Sequence, residues 1–266
     1  MKIGILCCRK TLENILVYKC LSRRYPTTFI DPRNLDLEGV DLVVSRVERD
    51  HLEVGLRALE HIEGRGIEVI NPRSSVEICQ NKYLTYKLLK EYMPTSILVS
   101  QDNFQDIDYL VEEKDLKFPL VVKPVYGGYG NGVLKLEKIE ELKNILKKHN
   151  SSNFIVQEYI PYKHDVRVFL IGDRVVCAME RIPRNDWRAN CSLGAETRRF
   201  PIRGDVEDLV LKCVKKVNAH IVGVDVLIDR ENNHYILEMN ITPQFRNTMR
   251  YVNIPLEILK FIEKCH

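Results

Sequence analysis

Strand and helix signals alternate over about the first 95 residues, and this order restricts the fold more than any other feature of the chain. Strand-like runs cover 2–7, 28–30, 42–44 and 67–70, and segments with helical spacing of apolar residues lie at 11–24 and from 52 to the glycines at 64–66. A βαβαβ order predicts an open, mostly parallel sheet. No GxGxxG motif follows the first strand, so we expect no dinucleotide site there.

Size and composition exclude several classes of protein. Of the 266 residues, 45% are hydrophobic and 29% charged, which is typical of a soluble globular protein and unlike a disordered or collagen-like chain. The net charge of +3 gives no overall reason to expect a nucleic-acid partner. No apolar run reaches the ~18 residues of a membrane helix, and the first residues do not resemble a signal peptide. The eight cysteines form no CxxC pair, so we expect reduced thiols and a cytoplasmic protein.

The remainder of the chain mixes helices with strands that pair locally. A strand ending at Lys123 precedes a glycine-rich loop, a strand at 133–137, a charged helix over 140–149 and a strand at 154–160. Hairpins are indicated at 165–181 and 222–240, and helices at 206–217 and from 255 onward. We therefore predict an α+β chain with an N-terminal α/β domain at 1–80, a central part at 81–160 and a C-terminal part at 161–266.

The hairpin at 222–240 places oxygen-bearing side chains on one face. With a turn over 230–233, position 229 lies opposite 234, Asp225 opposite Glu238, and Gly223 opposite Asn240. Two carboxylates that face each other across a strand pair repel unless a cation joins them. Oxygen ligands are typical of Mg²⁺ or Mn²⁺ sites. We therefore favour a metal site at Asp225, Glu238 and Asn240 over a solvated polar face.

A second motif combines glycines with lysine. The glycines lie within six residues between two strands, a density that lets backbone N–H groups approach phosphate oxygens; they are Gly127, Gly128, Gly130 and Gly132. The loop is not a Walker P-loop, and alone it is equally typical of a flexible hairpin. Lys123 strengthens the phosphate interpretation, because an ammonium at the end of an apolar strand needs an anionic partner. Lys82 is a second candidate.

Arginines are concentrated between residues 181 and 203. This segment carries six arginines against Asp186 and Glu196, a net charge of +4, so the rest of the chain has a net charge of −1. Guanidinium groups bind carboxylates and phosphates through paired hydrogen bonds. Trp187 lies in the same segment, so a nucleic-acid-binding surface is a rival interpretation. One short segment is a small footprint for such a surface, however, and it would leave the acidic hairpin unexplained.

Together these motifs resemble the ATP-grasp superfamily and, within it, the RimK-type amino-acid ligases. The resemblance rests on six segments in the family's order and spacing, namely 121–124 with the glycine loop, 157–160, 165–169, 186–190, 223–225 and 237–240. The front end also fits the family's N-terminal, Rossmann-like pre-ATP-grasp domain. The resemblance implies an ATP-grasp fold, with ATP between a glycine-loop subdomain and the C-terminal subdomain.

The resemblance also implies roles for individual residues. Those implied to bind ATP are the phosphate ligands Lys82 and Lys123, a mobile lid from Gly127 to Gly132, the adenine-binding linker with Gln157, Glu158, Tyr159 and Ile160, and the further contacts Asp165 and Arg167. The implied ligands of two magnesium ions are Asp225, Glu238 and Asn240. Residues implied to act near the γ-phosphate and an acyl-phosphate are Arg181 and Asn190. We expect substrate to be bound by Arg188, Arg246, Asn247 and Arg250.

The implied reaction is the ATP-dependent joining of a carboxylate to an amine. Phosphoryl transfer converts the carboxylate into an acyl-phosphate, which an amine attacks to give an amide, ADP and phosphate. The segment 240–247 resembles LysX-type ligases, which load an amino acid onto a carrier protein, whereas 187–190 and 193–196 resemble coenzyme glutamyl ligases. We expect glutamate as the amino acid, while the acceptor, the linkage and the number of residues added stay open.

The expected partners follow from this reaction. They are a small-molecule amino acid and a carboxylate-bearing acceptor, either a cofactor precursor or a carrier protein, and not a nucleic acid or a membrane. The resemblance also implies a homo-oligomer. A nucleotide-binding regulatory protein without turnover is the alternative from another class. It is disfavoured because the phosphate lysines and the metal ligands are all present.

Overall fold

The computed structural model describes residues 1–148, 152–184 and 186–266. Within these residues the helices are α1 Leu12–Leu21, α2 Leu52–Gly64, α3 Arg73–Gln80, α4 Lys82–Leu89, α5 Ile107–Glu113, α6 Ile139–Lys148, α7 Asp205–Lys216 and α8 Ile254–Cys265. The strands are β1 Ile3–Leu6, β2 Thr27–Ile30, β3 Leu42–Ser45, β4 Glu68–Ile70, β5 Ser96–Val99, β6 Leu120–Pro124, β7 Leu134–Leu136, β8 Phe154–Glu158, β9 Tyr162–Ile171, β10 Arg174–Ile182, β11 Glu196–Arg199, β12 Ile221–Asp229 and β13 His234–Asn240.

The predicted parallel sheet at the front of the chain is confirmed. Its strand order is β2-β1-β3-β4, and every neighbouring pair is parallel. All residues of β1 and β3 are buried, as expected for central strands covered on both faces. Helix α1 confirms the helix predicted over 11–24, although Leu12 is exposed and its buried residues are Glu13, Asn14, Val17 and Leu21. The two buried polar residues are held by side chains from distant loops.

Two antiparallel sheets follow. Strands β5-β8-β6-β7 form the second sheet and β11-β10-β9-β12-β13 the third, so the α+β prediction is confirmed. Strands β5 and β11 and helix α5 have no counterpart in the sequence prediction. Helix α6 is the one predicted over 140–149, and His149 lies outside the described residues. The division of the chain at 80 and 160 stays a prediction.

The hairpin of β12 and β13 reaches the predicted pairing by a different route. Near the turn, Ile228 rather than Asp229 lies opposite His234. An irregularity between Asp225 and Val226 then shifts the register by one residue. Asp225 consequently lies opposite Glu238, and Gly223 opposite Asn240, as predicted.

The first and third sheets share buried cores. One cluster joins Val43 and Val69 to Val168 and Val224, and another joins Val44 to residues of β9, β12 and α8. A third cluster lies on the second sheet and contains Val122, Leu142 and Val156. No helix among the described residues is both long and apolar enough to cross a membrane.

Asn71 connects the first sheet to the third through hydrogen bonds. Its side chain is buried, and its Nδ2 donates to the carbonyls of Ile221 at 2.8 Å and Ile241 at 3.3 Å. Its Oδ1 accepts from the backbone N–H groups of His220 and Ile221 at 2.6 and 2.9 Å. One amide thereby satisfies backbone groups that come before β12 and after β13.

We predict that Asn71→Ala destabilises the fold by about 3 kcal/mol, because it leaves buried backbone groups without partners. Urea unfolding followed by circular dichroism measures this change. Asn144→Ala is the control, since Asn144 is exposed on α6, and its effect should stay within about 0.5 kcal/mol. Equal stabilities of the two variants would contradict the linking role of Asn71.

Candidate active site

A cleft lies between the second and third sheets. Its empty volume, counting the space open to solvent, is about 850 Å³. Apolar residues including Val121, Leu227 and Leu237 form part of its wall. The wall also contains these predicted site residues: Lys82, Lys123, Gly127, Gly128, Gly130, Gln157, Glu158, Tyr159, Ile160, Asp165, Arg181, Arg188, Asn190, Asp225 and Glu238.

Two buried lysines reach the cleft from different elements. Lys123 comes from β6, and its Nζ donates to Oε1 of Gln157 at 2.7 Å. Gln157 is itself held by Ser96, so this predicted nucleotide contact orients Lys123 instead of facing the cleft freely. Lys82 begins α4, and its Nζ donates to the Gly127 carbonyl at 2.7 Å. Both ammonium groups thus lie beside the glycine loop.

Burial changes the protonation of these lysines. Burial and, to a smaller extent, the neighbouring Lys82 charge lower the pKa of Lys123 to about 8, against the attraction of Glu238 and Asp225. Burial also lowers the pKa of Lys82, although Glu238 opposes this shift. Each ammonium has lost much of its hydration, so an anionic ligand would be bound strongly.

The lid, residues 127–132, is folded against neighbouring segments. Gly130 has a φ of +76°, and a Cβ there would lie 3.1 Å from Oδ1 of Asn190. A Cβ at Gly128 would lie 2.0 Å from Nη1 of Arg49, so a side chain at this position would displace the Arg49 guanidinium. Ser192 also donates to the Tyr129 carbonyl at 3.0 Å. Glycine therefore allows the close approach that brings the lid over the cleft.

The opposed carboxylates are each contacted by two cationic side chains. Asp225 accepts from Arg167, with one contact at 2.9 Å, and from Arg181 at 3.2 Å. Glu238 lies 3.4 Å from Arg49 and 3.8 Å from Lys82. Although burial raises the pKa of Glu238, these positive charges outweigh it and lower the pKa overall. The ionised form of Glu238 is thereby favoured.

The donor set suits a divalent cation with oxygen ligands. The next inward-facing position after Glu238 is Asn240, whose Nδ2 is buried and has no hydrogen-bond partner among the described residues. Two carboxylates and an amide oxygen on one strand pair fit Mg²⁺ chemistry. No group of three or more His, Cys, Asp or Glu residues within the described ranges could hold a metal. Magnesium binding at this place would therefore depend on the Asn240 amide oxygen and on further ligands such as water or phosphate.

Arg181 and Asp165 form a buried pair rather than two independent contacts. Nε of Arg181 donates to Asp165 at 2.6 Å, and its Nη1 reaches Asp225. Burial raises the pKa of Asp165 to about 6, although Arg181 opposes the shift. Asp165, predicted to contact ribose or the linker, therefore has its carboxylate engaged by Arg181.

Several predicted residues lie outside the wall of the cleft: Gly132, Arg167, Asn240, Arg246, Asn247 and Arg250. Among them, Arg250 is exposed, and Arg246 forms an ion pair with Glu13 at 3.0 Å. Arg188 does line the cleft, but its guanidinium is bonded to Asp186 and donates to the Gly130 carbonyl at 2.7 Å. Arg188 and Arg246 thus both have protein partners, and their binding of substrate stays a prediction.

Sequence reasoning missed Arg49. It follows β3, and its half-buried guanidinium contacts Gln80, Glu238 and the region of Gly128. The one available signal was its position shortly after an apolar strand of a parallel sheet, where ligand-binding residues are common. That signal is shared by every loop on the same edge of the sheet.

We predict that ATP binding weakens as the pH rises through 8. The pKa of about 8 leaves Lys123 charged below that pH and neutral above it, and phosphate is attracted to the charged form. Calorimetric titration with ATP about one unit above this pKa should give an affinity ~10-fold lower than about one unit below it.

Lys123→Arg provides the control, because guanidinium stays charged throughout this range. Its affinity for ATP should vary less with pH than that of the original protein. Equal pH profiles for the two proteins would contradict the role given to Lys123.

Comparisons with known proteins identify similar sequences among ATP-grasp domains and amino-acid ligases. The model of the family described as RimK-like ATP-grasp domain matches residues 79–263. The chain is 33% identical over 215 residues to the glutamate–LysW ligase ArgX of Sulfolobus acidocaldarius, covering 76% of this chain and 75% of the relative. It is 30% identical over 210 residues to the alpha-aminoadipate–LysW ligase LysX of Saccharolobus solfataricus, covering 76% and 74%. It is 25% identical over 215 residues to the coenzyme gamma-F420-2:alpha-L-glutamate ligase of Methanococcus maripaludis, covering 79% and 74%.

Solved structures resemble the whole chain. A RimK domain ATP-grasp protein from Sphaerobacter thermophilus superposes with a TM-score of 0.76 at 14% identity, covering 98% of this chain and 99% of that protein. The ATP-grasp ligase PsnB, in complex with a minimal precursor, Mg and ADP, gives a TM-score of 0.73 at 21% identity, covering 99% and 97%. At these identities the likeness concerns the fold alone.

Proposed function

Because this chain belongs to the RimK-like ATP-grasp family, we propose that it joins L-glutamate to a carboxylate-bearing acceptor at the expense of ATP. It is an ATP-dependent C–N ligase, and ligases of this family use ATP with Mg²⁺. The observation that carries the proposal is that one cleft brings together two buried lysines, a glycine lid and a pair of opposed carboxylates.

The first step transfers a phosphoryl group to the acceptor carboxylate. This transfer depends on positioning and charge neutralisation more than on acid–base chemistry. Lys123 and Lys82 supply positive charge at the end of the cleft nearest the lid, and Arg181, held by Asp165, supplies a third cation. Asp225, Glu238 and Asn240 would hold magnesium, which when bound neutralises phosphate charge.

The second step is the attack of the glutamate amine on the acyl-phosphate, which releases phosphate and forms the amide. Water is a competing nucleophile, so the intermediate has to be protected from hydrolysis. The lid is suited to this task because Lys82 and Arg188 hold its carbonyls from two sides. Closure of such a loop excludes water and commits the substrate.

The names of the relatives support glutamate as the amino acid. Two of the three name glutamate, as the residue joined to LysW in one case and to a coenzyme in the other. The acceptor differs between them, so we propose a carboxylate acceptor that is either a carrier protein or a cofactor precursor.

We propose two magnesium ions and a homo-oligomer, both supported by the family resemblance. The eight free thiols support a cytoplasmic location.

The proposal is tested by measuring ADP release with ATP and Mg²⁺. Amino acids are crossed with acidic cofactor precursors and with peptides that end in glutamate. We expect release with L-glutamate and one class of acceptor, and mass spectrometry should detect the amide product. Tight ATP binding with no ADP release from any pair would contradict the proposal and favour a regulatory protein.

Glu238→Gln should lower ADP release at least ~100-fold, because it removes a carboxylate that would hold the magnesium ion, and a bound magnesium ion would neutralise phosphate charge. Glu231→Gln is the matched control, since Glu231 is exposed in the turn of the same hairpin, and it should retain activity. Similar losses in both variants would indicate a general effect on the hairpin.

The lid contact of Arg188 leads to a separate prediction. Arg188→Ala removes the hydrogen bond to the Gly130 carbonyl, so the lid should close less completely and more intermediate should be hydrolysed. We expect phosphate release to exceed amide formation several-fold. If phosphate and amide stayed equal while the KM for glutamate rose, Arg188 would instead bind substrate.

A further inference from the structure

The order of strands in the first sheet contains a reversal of direction. The chain moves from β1 to β2 on one side and then crosses to β3 on the other, so the direction reverses between β1 and β3. In open α/β sheets, ligands bind at such a reversal, outside the carboxyl ends of the strands. Arg46 is the residue that directly follows β3 at this point.

Arg46 is buried, with 3% of its surface exposed, and its hydrogen bonds are incomplete. Its Nε donates to Oδ1 of Asn14 at 2.9 Å, and its guanidinium lies over the ring of Phe245. Its Nη2 donates to the Pro243 carbonyl at 3.3 Å, longer than the usual 2.9–3.0 Å. Its Nη1 is buried and has no partner among the described residues.

No carboxylate of the described residues forms an ion pair with Arg46, although two lie in the vicinity. Glu13 is paired with Arg246 at 3.0 Å. Glu48 accepts hydrogen bonds at 2.9 and 2.8 Å from two backbone N–H groups of the loop after β1. Burial accordingly lowers the pKa of Arg46 to about 10, and these more distant charges only partly oppose it. A buried cation without a counter-ion is costly, and an anionic ligand would remove that cost.

Arg46 also lies close to the catalytic cleft. Three residues further on, Arg49 contacts Glu238 at 3.4 Å, and a chain of three residues spans at most about 10 Å. The lid approaches from the other side, because the hydroxyl of Tyr129 accepts from Gln244, the neighbour of Pro243. Opening of the lid would therefore change the contacts beside Arg46.

We propose that Arg46 is the anchor of a second carboxylate subsite, which binds a substrate carboxylate other than the one that is phosphorylated. This inference rests on the proposed ligase function and names the substrate chemistry of the same cleft. A guanidinium with one unused donor edge matches a single planar carboxylate. The carboxylate would replace the long bond to the Pro243 carbonyl and engage the free Nη1. It belongs either to the incoming glutamate or to the acceptor.

Ligand-induced thermal stabilisation tests the subsite without turnover. The probes are L-glutamate, L-glutamine, and a peptide that ends in glutamate, each with the full-length protein. We expect L-glutamate or the peptide to raise the unfolding temperature. Arg46→Gln should weaken the apparent affinity for that probe ~100-fold and Arg46→Lys ~10-fold, as for the loss of charged hydrogen bonds. ATP affinity should change little.

Arg57→Gln is the matched control, because Arg57 is exposed on α2, where it pairs with Glu53. Should Arg46→Gln fail to fold, Arg46→Lys keeps the charge and still lacks the planar fork. Loss of the glutamate effect alone assigns the subsite to the amino acid, and loss of the peptide effect alone assigns it to the acceptor.

Three outcomes would overturn the subsite. They are no stabilisation of the original protein by either probe, unchanged affinities in both Arg46 variants, and a matching loss of ATP affinity, which indicates a structural role. Failure of the ligase proposal is distinguishable, because it appears as absent ADP release in the original protein whether or not these probes bind.

Discussion

The carboxylates of Asp225 and Glu238 face each other across β12 and β13, and the remaining features of the cleft compensate for this pairing of like charges. Two cationic side chains contact each carboxylate, and they come from the first sheet, from α4 and from the third sheet. The charge balance therefore requires all these parts of the chain to be in place. These four cationic side chains outnumber the two carboxylates, an excess that suits an anionic nucleotide.

The first sheet contributes to the site as well as to the fold. Asn71 joins it to β12 and to the residue after β13, and Arg49 carries its charge to Glu238. Arg46 follows the same strand as Arg49 but is buried, and its Nη1 has no hydrogen-bond partner in the part of the chain that the structure describes. The loop after β3 thus supplies one guanidinium to the acidic pair and another to the proposed carboxylate subsite.

The lid illustrates why contacts were harder to predict than elements. Its glycines marked a phosphate-binding loop, and Arg188 was expected to bind substrate. In the folded chain Arg188 is bonded to Asp186 and to the Gly130 carbonyl. An arginine beside a cleft donates to the oxygen atoms within its reach. Here one of them is a backbone carbonyl 58 residues away in the chain, a contact that the local sequence pattern does not predict.

Local patterning by itself determined most elements, the parallel front sheet, and the opposition of Asp225 and Glu238, because strand alternation and turn length act over short distances. The agreement at Asp225 still required an irregularity, since the pairing near the turn is shifted by one residue. Only the tertiary structure decided that Gln157 orients Lys123, that Asp165 holds Arg181, and that Arg46 is bonded to the neutral Asn14. These contacts join residues that lie at least 16 positions apart in the chain. Burial strengthens each of them, because electrostatic interactions are stronger away from water.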